Sequence, residues 1–230
     1  MKTILYDTET TGLKYPRLIQ IAYKVGPDEI EQKFFKPAVP IEFGAMATHH
    51  ITEEDLADKP KFSEEDRNMY LKLFQENIPV AHNLEFDIDV MRNEGVIISG
   101  GICTLKVARK ILPDQEQYKM QYLRYSLGLE VDRDAAAHDA KGDVIVLDAL
   151  FKFLFKEVEK QVPSVVDVLS KMIEITNQPS LITRFCFGKH SGKNIKDIVI
   201  SNYGYIEWLL KQSTLDKDLR YSLNYFVKNK

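Results

Sequence analysis

"KTILYDTETTG" (residues 2–12) is an apolar, β-branched run that ends in two acids one residue apart and a glycine. The composition reads as a strand over residues 2–8. Side chains alternate along a strand, so Asp7 and Glu9 project to the same face. Two carboxylates held side by side repel unless one is protonated or a cation sits between them. Oxygen-only ligands suit a hard ion such as Mg²⁺ or Mn²⁺. Taken alone, a D-x-E is more often a strand end whose acids point into water, with Gly12 serving a turn.

The segments that follow place this strand in a sheet. "RLIQIAYKV" (17–25) and "EIEQKFFKP" (29–37) alternate in polarity and are joined by Gly26-Pro27-Asp28, so the three strands read as a meander. "SEEDRNMYLKLFQEN" (63–77) opens on a capping-box pattern, Ser63 then Asp66, and continues at helical spacing. "IPVAHN" (78–83) is a short strand leading into a helical "EFDIDVMRNEG". Further helices are expected at 104–112, 119–128, 139–158 and 164–176. "NQPS" (177–180) breaks the pattern at Pro179. Beyond it lie a glycine-basic stretch, "FGKHSGK", and helices at 203–212 and 216–228. A meander that finishes among helices argues for an α/β fold with a small appended module.

More acids recur along the chain. "AHNLEFDIDVM" (81–91) sets Asp87 between Phe86 and Ile88, where a carboxylate is costly unless paired or bound to metal. "AAAHDAKGDVIVLDAL" (135–150) places His138 just before a long helix and Asp143 one turn inside it, against an apolar run. The order is D-x-E, then H-N-x-x-F-D, then H-x-A-x-x-D.

These three stretches resemble the motifs of the DnaQ-like, DEDDh branch of 3′→5′ exonucleases, which have a ribonuclease H-like fold. "HHIT" (49–52) is similar to the family's H-G-I-T loop, with His50 in place of glycine, and "CTLKVAR" (103–109) to its T-L-x-L-A-R segment. "FCFGKHSGKNIKDI" with "YIEWLL" resembles the C-terminal module of exodeoxyribonuclease X-like members, which carries the likeness over nearly the whole chain. The resemblance implies a mixed five-stranded sheet flanked by helices, residues 1–178, and a small α+β module, residues 179–230. Met91 and Gly142 also depart from the family pattern, at no ligand position.

By the same resemblance Asp7, Glu9, Asp87 and Asp143 hold two divalent ions, Mg²⁺ with Mn²⁺ able to substitute, and Asp7 is shared between them. Four carboxylates balance two such ions in charge, and two metals can serve both the attacking and the leaving oxygen of a phosphodiester. His138 is the expected general base, because an imidazole takes a proton at neutral pH. Thr10, Thr11, Gly12, Leu13, His49 and Ile51 are expected to border the terminal nucleotide, with Leu13 wedged against the last base. His82 is expected to orient the second-motif turn and Asp139 to cap the helix that follows it. Lys189 and Lys193, beside Gly188 and Gly192, are candidate phosphate contacts. Trp208 is expected in the module's core.

Composition agrees with a soluble cytoplasmic protein: 44% hydrophobic and 28% charged residues, with no apolar run of membrane-spanning length. No signal peptide is read at the N-terminus. The two cysteines, Cys103 and Cys186, are in no metal-ligand spacing. The net charge of −3 conceals an asymmetry. Residues 181–230 hold nine basic groups against four acids, a net of +5, and the rest of the chain carries −8. The expectation is a metal-dependent exodeoxyribonuclease that releases nucleoside monophosphates from single- or double-stranded DNA 3′ ends in repair or end trimming. An exoribonuclease of ribonuclease T or oligoribonuclease type, a polymerase-associated proofreading subunit and a silent nucleic-acid-binding module remain open. Oligomeric state is not read from the sequence.

Overall fold

The computed structural model describes residues 2–131, 139–162 and 164–230. The opening run forms β1 (Lys2–Thr10), two residues longer than its periodicity predicts. β2 (Leu18–Val25) and β3 (Glu31–Phe34) follow antiparallel, so the meander is present. The β1–β2 register shifts between Glu9 and Thr10. An irregularity there ends the ladder just past the acids and redirects the chain.

α1 (Phe43–His49) lies where the sequence pattern announces no helix. It stops at His50, whose φ of 60° is left-handed. A helix commonly ends on glycine in this conformation, which explains why the resembling loop carries glycine there. α2 (Glu64–Glu76) starts with both halves of the Ser63–Asp66 capping box. β4 (Asn77–Ala81) then pairs parallel to β1, α3 (Leu84–Asn93) follows, and β5 (Ile102–Cys103) pairs parallel to β4. The sheet order is β3-β2-β1-β4-β5, the expected mixed five-stranded sheet. α4 (Thr104–Ile111), α5 (Met120–Ser126), α6 (Ala140–Glu159) and α7 (Val165–Asn177) complete this part of the chain.

Alternation along β1 and β2 divides the core. Leu5 and Ala22 pack with Val144, Leu147, Leu150 and Leu154 of α6 on one face. Ile4, Tyr6, Ile21 and Tyr23 pack with Tyr70 and Phe74 of α2 and Val90 and Met91 of α3 on the other. Each fully buried side chain of this size contributes about 1.5–3 kcal/mol, so α6 is firmly seated on the centre of the sheet. The position of α6 fixes where its first turn meets the ends of β1 and β2.

The C-terminal residues carry an apolar cluster of their own, centred on Phe185, Ile195, Ile206 and Leu223. It is built from a 3₁₀ turn (Gly188–His190), α8 (Ile195–Ser201), α9 (Tyr203–Leu210) and α10 (Lys217–Lys228). Among the described residues the β content of this segment is one isolated bridge, Arg184 with Asn194, so it is more helical than an α+β module. Trp208 is not in this core. It is 54% exposed, because Ile206 and Leu209 take the inward positions of α9. Asp218 ties the segment to the rest of the chain: it accepts from the Ser180 amide (3.0 Å) and lies 3.5 Å from Lys106 Nζ and 3.6 Å from Arg109 Nη1. Among the described residues no helix is long and apolar enough to cross a membrane.

Candidate active site

Asp7 and Glu9 share the face of β1 that α6 covers, and the first turn of α6 brings Asp143 to them. Carboxylate oxygens of these three residues all lie within 4.8 Å of one another. On the same face Glu9 pairs across the ladder with Gln20 of β2. Gln20 is fully buried; its Nε2 donates to Asp139 Oδ1 (2.7 Å) and its Oε1 accepts from the Ala140 amide (3.4 Å). Asp139 is the N-cap of α6, as expected, and also accepts from Gly142 N. Gln20 therefore pins the start of α6 beside Glu9. One turn further along, Lys24 Nζ reaches Asp148 Oδ2 at 2.6 Å and fixes the helix in register. Gln121 of α5 donates to Asp143 Oδ1 (3.1 Å).

Asp87 arrives from the other side. Thr8 points to the α3 face of β1, and its hydroxyl donates to Asp87 Oδ1 at 2.7 Å. Asp87 is thus held against β1 but is not among the three whose oxygens converge within 4.8 Å. It is still close enough to be the second cause, after burial, of the upward shift of the Asp7 pKa, followed by Asp143 and Glu9. Burial, then Asp143 and Asp87, pushes Glu9 up to about 8. Burial pushes Asp87 up to about 7, against the Thr8 hydroxyl, which favours its ionised form. Carboxylates this crowded cannot all ionise without a cation, and an all-oxygen donor set fits a hard divalent ion. The cluster is a fit to such a metal.

The other sequence-predicted residues are placed as follows. His138 lies outside the described residues. Thr10 Oγ1 donates to Gly12 O (2.9 Å) and Thr11 Oγ1 accepts from the Arg17 amide (3.1 Å), so both hydroxyls shape the turn. Gly12 lies against the carboxylate end of the exposed Glu42 side chain, which a Cβ there would displace. Leu13 stands 83% exposed just beyond. His49 is buried; its Nδ1 accepts from the Ile51 amide (3.0 Å) and its Nε2 lies 3.2 Å from Thr10 O. It bolts its loop to the end of β1, and Ile51 packs under that loop against Ile19, Ile41 and Leu56. His82 Nε2 donates to Tyr118 O (2.7 Å) and its Nδ1 lies 3.0 Å from Thr104 Oγ1, so it joins the second-motif turn to α4 and the segment before α5. Burial lowers its pKa to about 4 and keeps it neutral. Lys189 and Lys193 lie in the C-terminal segment.

With this geometry the chain was compared with known proteins. The Exonuclease family matches residues 4–151, a span that includes all four acids. The chain belongs to the exonuclease family. It is an enzyme of the expected kind, a 3′→5′ exonuclease that hydrolyses phosphodiesters. A second family, Exodeoxyribonuclease X-like C-terminal, matches residues 185–213. The exonuclease is 30% identical to "Exodeoxyribonuclease 10" of Escherichia coli (strain K12), an alignment covering 98% of each chain. It is 32% identical to "DNA polymerase III subunit epsilon" of Buchnera aphidicola subsp. Acyrthosiphon pisum (strain APS), over 50% of this chain and 57% of that one. Among solved structures it is similar to "Exonuclease X in complex with 5′ overhanging duplex DNA", at 28% identity and a TM-score of 0.61, covering 76% of this chain and 99% of the other. Exonuclease I of E. coli shares the fold at 21% identity and a TM-score of 0.58.

Proposed function

We propose that the exonuclease is a divalent-metal-dependent 3′→5′ exodeoxyribonuclease that shortens DNA from its 3′ end to nucleoside monophosphates and serves repair or end trimming. The observation that carries the metal is the convergence of Asp7, Glu9 and Asp143 within 4.8 Å, with the pKa values of Asp7 and Glu9 raised. Asp7, Glu9, Asp87 and Asp143 would hold two ions, Mg²⁺ in the first instance and Mn²⁺ as a substitute. When bound, such ions supply Lewis-acid activation of water and neutralise charge on the leaving oxygen. In this reading Asp7, at the centre of the group, is the shared ligand, and Thr8 positions Asp87. His138 takes the proton of the attacking water.

Substrate end-binding falls to the turn after β1. Leu13 offers an exposed apolar side chain for the terminal base, and stacking of this kind tolerates any sequence. Thr10, Thr11, Gly12, His49 and Ile51 form the wall behind it. The choice of DNA rests on the match to exodeoxyribonuclease 10, which spans both parts of the chain. The polymerase-subunit match covers only half of it. The same reading divides the chain into an exonuclease domain, residues 1–178, and a module, residues 179–230, a division supported by the module's separate apolar cluster.

The test is digestion of 5′-labelled single-stranded DNA and RNA of one sequence with Mg²⁺, with chelator, and with Asp143→Ala. A metal-dependent ladder shortening from the 3′ end of DNA, absent in the variant, is the expected result. A ladder mainly on RNA keeps the chemistry and overturns the substrate. Binding without cleavage of either overturns the catalytic reading.

A further inference from the structure

The stretch from Arg184 into the first turn of α8 at Lys196 carries four cations and no acid. At its centre Gly188, with φ of +65°, lets the loop close onto α9, where a Cβ would stand 3.1 Å from Tyr205 Oη. Lys189 Nζ lies over the Tyr205 ring, 4.9 Å from its centroid. Tyr205 in turn stacks on Trp208, with centroids 5.7 Å apart and planes 26° from parallel. Trp208 is over half exposed, because Ile206 and Leu209 take the inward positions of α9. An exposed Trp208 ring, backed by half-buried Tyr205 with Lys189 beside it, fits a flat π-face joined to an anion.

The same stretch also faces the rest of the chain. Its near end, Arg184 to Phe187, lines a cavity of about 550 Å³ shared with Asn83, Lys106 and Arg109. Asn83 is the N-cap of α3, the helix that carries Asp87. Phe187 is 42% exposed, and Phe185 packs edge-on between it and Tyr205. This cavity is mixed in charge, because Asp218 pairs with Lys106 and Arg109 and Glu85 and Asp216 also line it, whereas the stretch from Arg184 to Lys196 itself contributes cations and no acid. Successive bases on aromatic rings with phosphates on lysines is the arrangement that holds a single strand without regard to sequence.

We propose that the Tyr205–Trp208 pair and Lys189 form a second binding site for single-stranded DNA, holding the strand 5′ of the nucleotide being removed. The proposal rests on the exodeoxyribonuclease reading for the direction of the strand. A long substrate spans both sites, whereas a dinucleotide reaches the active site alone. The module thereby raises affinity for long strands without touching the reacting phosphate.

Trp208 is the sole tryptophan of the chain, so its emission reports this site directly. The full chain is titrated with a long oligothymidylate in chelator, and binding is followed in parallel by the anisotropy of labelled DNA. Saturable quenching that tracks the anisotropy and weakens with salt is expected, with no quenching by a dinucleotide. Binding by anisotropy with unchanged emission overturns this site, and so does absence of any binding; neither touches the exonuclease reading, which stands or falls on the Mg²⁺-dependent digestion. Quenching by an oligoribonucleotide but not by DNA also overturns the site. In turnover, Trp208→Leu and, separately, Lys189→Gln raise KM for the long strand, about tenfold for the tryptophan, with little effect on KM for a dinucleotide. An equal loss on both substrates marks general damage and overturns the role.

Discussion

The Thr8 hydroxyl donates a hydrogen bond to Asp87 Oδ1, 79 positions further along the chain, at 2.7 Å. This bond joins the strand that supplies two acids of the site to the helix that supplies another, and it favours the ionised form of Asp87. Thr8→Val keeps the shape and removes the donor. A hydrogen bond to a charged group is worth about 1.5–3 kcal/mol, so a loss of that order in unfolding free energy is expected. The Asp87 pKa rises further, and the acid limb of the pH–rate profile moves to higher pH. Thr8→Ser restores both. A Thr8→Val enzyme with an unmoved acid limb would show that this bond does not set the ionisation of Asp87.

The crowded acids give the metal-free protein a distinctive pH dependence. Folding raises Glu9 to about 8 and Asp87 to about 7, so the folded chain retains protons that the unfolded chain releases. Stability from these groups is complete below about pH 4 and is lost progressively as pH rises from there, where the unfolded carboxylates ionise. The loss is complete once pH passes the folded values of about 7 and about 8. A bound divalent cation removes the cost. Added Mg²⁺ is therefore expected to raise Tm far more at pH 8.5 than at pH 6, measured by scanning calorimetry against a chelator control. Equal gains at both pH values would mean that the cation acts elsewhere.

His82 works in the opposite sense. Burial holds its pKa near 4, below the ordinary imidazole value, so the folded state binds fewer protons than the unfolded one. Its contribution is intact above pH 6.5 and is lost as pH falls from 6.5 to 4, on the order of 2–3 kcal/mol. Urea unfolding at pH 7.5 and 4.5 measures this. In His82→Gln the drop between the two pH values should shrink by that amount.

His50 sits at φ of 60°, where a side chain costs about 1–2 kcal/mol. His50→Gly relieves this strain, in part offset by the added freedom of glycine in the unfolded chain, and a net gain of about 0.5–1 kcal/mol is expected. A shift of the urea midpoint at constant slope checks it. A loss instead would show that the imidazole makes contacts worth more than the strain.

Much of the fold was legible because its signals are local. The meander, the Ser63 capping box and the long apolar helix after Asp143 each announce themselves within a dozen residues. β5 has two residues and cannot display a period, and α1 leaves most of its side chains in solvent, so neither produces a pattern. The acids were found by their order along the chain, not by any single motif. Their partners were not found. Thr8 hides between Asp7 and Glu9, and Gln20 is a lone polar residue in an apolar strand whose only clue is that it has no evident reason to be there. Trp208 was misplaced because helical spacing marks which positions share a face, and the more apolar face was taken to include it.

The acids of the site come from residues 7, 9, 87 and 143, and the outermost two are joined only when α6 settles across β1. During synthesis the first strand leaves the ribosome long before that helix exists. A nascent or truncated chain ending before α6 carries Asp7 and Glu9 without the third member of their cluster. On the proposed reading of these acids, an enzyme that erodes chain ends stays inert until most of its own polypeptide has been made.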